Sequence, residues 1–325
     1  MKKWKMWVLT IVLLSMLCAC RSAPRAFIPL MKVSNLGECR LCKWDTEKNE
    51  IVDIGRPLFE NSEDPHSLLY TLWDGHDCFI LSDDRTRVLE TNGPVSVDLR
   101  KSNRQVFYED YTLLKEDDNS FVLQVRDQEY RFRVEANVSI DGECVRGERL
   151  GLSGFCVDEA AQTVSILLNA FSFELNRINL YISQVSLADG VSRIQEVKNC
   201  PTTLSPAFPP IGTNVLAIHG EFHVLSNTQI SRISADTCEA ESVFEVLTLR
   251  NSRHFATKKT HGYLMTRLGY YDGKYVVSVI ADPQTVSEAS YLCLVDRGNV
   301  VAVTKVDSEY IAPNLYHQLL AHGRQ

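Results

Sequence analysis

Gly262 to Ser308 reads "GYLMTRLGYYDGKYVVSVIADPQTVSEASYLCLVDRGNVVAVTKVDS". The runs "YVVSVIA" and "YLCLV" are almost wholly apolar, and aspartate, glycine and proline stand between them. Short apolar or alternating runs bounded by such residues mark strands. Asp272-Gly273 marks a hairpin, because both central residues of a two-residue turn need positive φ and this pair tolerates it. The stretch is therefore expected to fold as one unit of successive antiparallel strands.

Outward from this unit the same pattern recurs. It is seen in "HSLLYTLWDGHDCFILSDDRTRVLETNG" (66–93), "SFVLQVRDQEYRFRVEANVSIDGECV" (120–145), "INLYISQVSLADGVSRIQEV" (178–197) and "TNVLAIHGEFHVLSNTQISRIS" (213–234). Asp74-Gly75, Asp141-Gly142 and Asp189-Gly190 sit within or beside these runs. Helical periodicity is confined to 282–290 and to the tail "APNLYHQLLAH" (312–322), where Pro313 suits a first helical turn. The fold class expected is all-β. Hairpin-bearing units recurring every roughly 40 to 60 residues suit a β-propeller-like arrangement, with a β-sandwich or two small β-domains as the alternative. The tryptophan-aspartate pairs at Trp44 and Trp73 do not fall at equivalent turns, so no blade signature repeats in register.

The amino terminus is of another kind. "MKKWK" supplies three lysines, and Met6 to Ala19 follows without a charge. A basic start, a short apolar run and a small residue before the cut are the layout of a secretory signal. A spanning helix needs ~20 apolar residues, more than this run offers. Cys20 has Ala19 before it and Leu17 three residues before it; Cys18 has Leu17 and Ser15 in those places. Leu17, Cys18, Ala19 and Cys20 thus match a lipobox, and the leader resembles that of bacterial lipoproteins. That resemblance covers about the first twenty residues. It implies signal-peptidase recognition through Leu17, Cys18 and Ala19, cleavage before Cys20, a diacylglycerol thioether on its sulfur and an acyl chain such as palmitate on the new terminus. Arg21 rather than aspartate after the cysteine implies the outer membrane, facing the periplasm, with the inner membrane or the cell surface as alternatives. The expected organisation is a signal peptide over 1–19, a tether over 20–37, a β-rich domain over 38–311 and a short helical tail over 312–325.

Ten cysteines are present, and the leader accounts for Cys18 and Cys20. An even set remains: Cys39, Cys42, Cys78, Cys144, Cys156, Cys200, Cys238 and Cys293. In an oxidising compartment these are expected to form disulfides, with connectivity open among 105 pairings. Cys39 and Cys42 form a CxxC, but on an expected hairpin rather than at a helix start, and no second such pair completes a zinc site.

Formal charge is −7, and loss of the three leader lysines brings the mature chain to about −10. Such a chain lacks the basic footprint of a nucleic-acid binder and suits a basic protein partner. No motif names a reaction. His219, Glu221 and His223 alternate and could seed a metal site on one continuous strand, but "HG" falls where a turn is expected. "GLSGF" around Ser153 departs from the nucleophile elbow, and Asp83 and Asp84 read as a hairpin turn. No catalytic residue, cofactor or metal is assigned, and an enzyme is the less favoured class.

The function expected is a membrane-anchored periplasmic lipoprotein that binds a protein partner, an immunity or inhibitor protein against a secreted effector being one form of it. A structural component of an envelope complex and a periplasmic hydrolase are the alternatives. Trp73, Tyr270 and Tyr271, aromatics near turns, are the candidate contact residues, with hairpin core as their competing role.

Overall fold

A computed structural model describes residues 27–33, 39–59, 70–73, 78–81, 105–108, 111–117, 119–125, 128–134, 138–140, 143–145, 150–172, 177–200, 215–226, 228–255, 262–282, 289–307 and 309–311. β1 (Phe27–Val33), β2 (Cys39–Asp45) and β3 (Glu50–Phe59) form an antiparallel meander, and β4 (Tyr70–Trp73) pairs with β5 (Cys78–Leu81). A four-stranded meander follows, made of β6 (Gln105–Tyr108), β7 (Tyr111–Lys115), β8 (Ser120–Val125) and β9 (Gln128–Arg133). β10 (Val138–Ile140) and β11 (Glu143–Val145) make a small hairpin.

Three more four-stranded meanders complete the chain. They are β12 (Leu150–Asp158) to β15 (Ser192–Glu196), with β13 (Thr163–Ser172) and β14 (Arg177–Ser186) between; β16 (Val215–Ile218), β17 (Glu221–Leu225), β18 (Gln229–Ser234) and β19 (Ala240–Glu245); and, after the single-turn α1 (Leu247–Asn251), β20 (Tyr263–Tyr271), β21 (Lys274–Ala281), β22 (Ala289–Asp296) and β23 (Asn299–Val306). β24 (Glu309–Ile311) then returns to pair with β1, so one sheet has the order β24-β1-β2-β3. The last described strand completes the first sheet.

The sheets stack face to face around a ring. One apolar cluster joins β7 and β8 to β12–β14 and on to β16–β18, with Leu113, Phe121, Phe155, Ile166 and Phe222 at its centre. A second joins the β16–β19 sheet to the β20–β23 sheet through Ile230, Leu249, Met265 and Val277. A third joins β20–β23 to β1 and β2 through Ile28, Trp44, Val276 and Leu292. The first strand of each sheet packs nearest its neighbours, β12 against β6 and β16, and β20 against β16.

One contact repeats at three successive seams: the turn before a sheet's fourth strand meets the end of the sheet before it. Lys198, after β15, bridges Glu239, with its N–H donating to the Cys238 carbonyl at 2.9 Å. A Cβ at Gly298 would lie 3.1 Å from the Val243 carbonyl oxygen of β19. The Thr304 hydroxyl of β23 donates to the Asn49 side chain in the β2–β3 turn. Meanders that stack in sequence and close with the last strand are the architecture of a β-propeller. The fold is all-β and propeller-like.

The turns follow the chemistry of their residues. His219-Gly220, Asp272-Gly273 and Arg297-Gly298 all have positive φ at both positions, as two-residue hairpin turns require. At Gly298 the carbonyl of Val243 would have to give by a few tenths of an ångström to admit a Cβ, and its φ of +76° is costly for an L side chain. Gly298→Ala should therefore lower unfolding free energy by about 1–2 kcal/mol in chemical denaturation, and an unchanged midpoint would contradict the close approach.

β12 and β20, nine residues each, carry a bulge at the fourth position, where Ser153 and Thr266 stand outside the ladder register. This hidden repeat of first strands is one signature the chain does have.

The structure moves one expected boundary. Phe27–Val33, assigned to the tether on its prolines, is a strand whose Ile28 and Leu30 are buried. Pro29 is tolerated because, among the described residues, β24 pairs only with Met31 to Val33, so at Pro29 the described strands supply a neighbour on one side alone. Residues 1–26 and the expected tail over 312–325 lie outside the described residues, as do 283–288 of the other helical stretch.

Candidate functional site

β16 and β17 are joined by the His219-Gly220 turn, and the register Ile218↔Glu221 closes it in two residues. The turn exposes His219 and separates it from the strand residues, as the sequence reading expected. Glu221 and His223 remain on one face of β17, pointing at the β20–β23 blade. His223 is buried, and its Nδ1 lies 2.5 Å from the Tyr275 hydroxyl of β21, with ring centroids 5.6 Å apart. Arg232, the cross-strand partner of His223, is held by Glu241 at 2.8 Å and Glu221 at 3.7 Å. Tyr270 packs edge-on against Tyr275 at 5.5 Å.

Burial, then the Arg232 charge and that of His219, push the His223 imidazole down to about 4. Burial first, then Tyr270, raises the Tyr275 phenol above its ordinary range. At neutral pH both groups are uncharged, and which of them donates in this bond follows the imidazole tautomer. Among the described residues no group of three His, Cys, Asp or Glu side chains is placed to hold a metal ion.

Ser153 is buried at the β12 bulge, where its hydroxyl accepts a 2.6 Å hydrogen bond from Asn169 Nδ2. It occupies no strand-to-helix elbow. Lys115, buried on β7, donates from Nζ to the Leu150 carbonyl at 2.7 Å. Sequence reasoning missed Lys115, Arg232 and Tyr275; the one signal for Arg232 is a charge inside the apolar run "QISRIS".

The cysteines require a correction. Cys156, Cys200, Cys238 and Cys293 are free thiols and Cys42 is a thiol engaged with Asp53, so disulfide pairing of most of the eight is not what the structure contains. They fall in different seams: Cys42 between the blades of β1 and β20–β23, Cys293 in the β16–β23 cluster, and Cys156, Cys238 and Cys200 in or against the cluster around β12–β18. In such places cysteine acts as a small apolar residue. Burial raises all five, to about 12 for Cys42, Cys156 and Cys200, and Cys42 also donates to the Asp53 carboxylate at 3.2 Å. Thiols so raised are poor nucleophiles. The side chains of Cys39, Cys78 and Cys144 lie outside the described residues. Alkylation of denatured, unreduced protein should add at least five groups by mass; fewer would restore a disulfide among these five.

Tyr270 and Tyr271 lead into the Asp272-Gly273 turn at the end of β20 but face opposite seams, each half-buried, Tyr270 against the β16–β19 blade and Tyr271 against that of β1 and β2. Trp73 ends β4, and its side chain is outside the described residues, as are Asp83 and Asp84.

Within an antiparallel meander the first and third connections emerge at the same end. On that face of the ring stand the exposed acids Glu47, Glu159, Asp189, Asp236, Glu239 and Asp272, with Lys48 and Arg297 as turn cations. Glu159 accepts from the Tyr111 hydroxyl of the blade before it.

No family model and no curated protein matches the chain. Among solved structures it is similar to the extracellular domain of the putative hybrid two component system BT4673 from B. thetaiotaomicron, at 8% identity and TM-score 0.37, covering 88% of this chain and 39% of that one. It is similar also to the Swd1 β-propeller domain of Myceliophteria thermophila, at 9% identity and TM-score 0.35 over 89% and 90% of the two chains. The WD40 β-propeller domain of Doa1 gives 10% identity and TM-score 0.36 over 88% and 91%. The chain spans about two fifths of the first of these. The propeller arrangement rests on the sheet order and the three repeated seams.

Proposed function

We propose that this chain is a lipid-anchored protein of the bacterial envelope, tethered through Cys20 at the outer membrane and facing the periplasm, that acts by binding a basic protein partner. An immunity or inhibitor role against a secreted effector is the specific form proposed. The observation that carries the binding reading is the turn face, where rigid strands present Glu47, Glu159, Asp189, Asp236, Glu239 and Asp272 to solvent. Loops on a rigid scaffold are where recognition concentrates. Like charge spread over one face raises the encounter rate with an oppositely charged partner.

Immobilised mature domain exposed to envelope extracts tests the reading. One basic protein retained at stoichiometric yield supports it, whereas a large multi-component complex supports an assembly role. Turnover of an ester, peptide or glycoside at an enzyme-like rate, lost on substituting His219, would replace it with hydrolysis.

A further inference from the structure

His223 and Tyr275 belong to different blades, 52 residues apart in sequence, yet share a 2.5 Å hydrogen bond in a seam where His223 is 6% exposed. We propose that this contact is a proton-operated latch on the seam between the β16–β19 and β20–β23 blades, which loosens when His223 takes up a proton.

The groups around the imidazole set the sign. Arg232 on β18 is its cross-strand neighbour, and His219 stands at the turn on the same hairpin; both disfavour a second positive charge. Glu221 on β17 and Glu241 on β19 are engaged with Arg232, which draws their charge away from the imidazole. From the facing blade come Tyr275 and, packed on it, Tyr270, both uncharged at neutral pH and pushed further from ionisation by burial. Protonation leaves the imidazolium with an N–H at both ring nitrogens, so that Nδ1 can only donate to the Tyr275 oxygen. A buried imidazolium is left beside the Arg232 guanidinium, and it is this charge out of water next to a like charge that works against the closed seam.

The imidazole lies near 4 in the closed seam and at an ordinary 6.5 when the seam opens. The open state therefore binds the proton first as pH falls. Stability of the seam is fully present above pH 6.5 and is lost progressively down to pH 4. Those two values give about a twentyfold rise in the opening equilibrium between pH 7 and pH 5.

The test is amide hydrogen exchange on the intact protein at pH 7 and pH 5, corrected for the intrinsic rate. Protection in β17 and β21 should fall about twentyfold, while β13 and β14 hold theirs. In His223→Gln, which cannot take up a proton in this range, the pH-dependence should vanish. Equal protection at both pH values, or the same loss in the variant, would overturn the latch. Should the variant not fold, the ¹⁵N shift of the His223 ring in the unaltered protein decides. Titration well below 6.5, together with loss of protection, supports the latch, and an ordinary midpoint with the seam still protected overturns it.

Discussion

Truncation after Asp307 should cost the protein about 3–5 kcal/mol of unfolding free energy, although β24 contains only three residues. Tyr310 is the reason. Its side chain is 6% exposed and packs with Ile28, Leu30, Cys42 and Val276, at the seam where the last blade meets the first. Removing a buried aromatic costs more than the few ladder bonds lost with it, which contribute about 1 kcal/mol each. Lys32 Nζ stands 6.0 Å from the Tyr310 ring, and such a contact adds about 0.5 kcal/mol, too little to decide the outcome. The truncation also strips β1 of its partner at Met31 to Val33 and leaves a paired strand as an open edge. Tyr310→Ala, which keeps the backbone pairing, should lose most of the same stability. Urea denaturation of both variants measures this, and a truncated protein as stable as the full one would mean that the ring is not closed by β24.

The second large effect is on anchoring and is close to all-or-none. A diacylglycerol thioether requires a sulfur at the residue that becomes the new amino terminus, and the proposed lipobox of Leu17, Ala19 and Cys20 would put Cys20 there. Several buried acyl chains, at ~0.8 kcal/mol per CH₂, hold a protein at a bilayer far more durably than one. Cys20→Ser should therefore abolish incorporation of a clickable palmitate analogue and leave the precursor uncleaved. Cys18→Ser, one step inside a tolerant position, should change neither. Labelling that survives Cys20→Ser would remove the anchor from the proposal.

Strands were legible where one face or both met apolar neighbours over many residues. The run "GYYDGKYVVSVIA" shows its hairpin directly, because glycine and aspartate mark positive φ and the apolar run beyond the turn holds the buried Val276, Val277, Val279 and Ala281. Phe27–Val33 was hidden by Pro29 and Lys32, whose fitness for a strand depends on where β24 stops pairing, a fact set some 280 residues away. β24 itself is too short for any periodicity to be seen. The His219-Gly220 turn was readable, whereas the His223–Tyr275 contact was not, since nothing local to either residue encodes a partner in the next blade. The cysteines were misread for a related reason. Cys293 lies between Leu292 and Leu294, both buried, and its surroundings announce an apolar thiol more strongly than the leader-like amino terminus argues for a disulfide.

The central claim, that the acid-bearing turn face steers a basic protein partner, is tested most directly by the salt dependence of association. With the partner retained by the mature domain, association and dissociation rates are measured from about 50 to 500 mM salt, for the unaltered protein and for one with Asp189, Asp236 and Asp272 changed to asparagine. Association should slow about tenfold or more with salt while dissociation changes little, and the variant should begin near the slow, salt-independent rate. Association that is indifferent both to salt and to loss of these three carboxylates would contradict the claim.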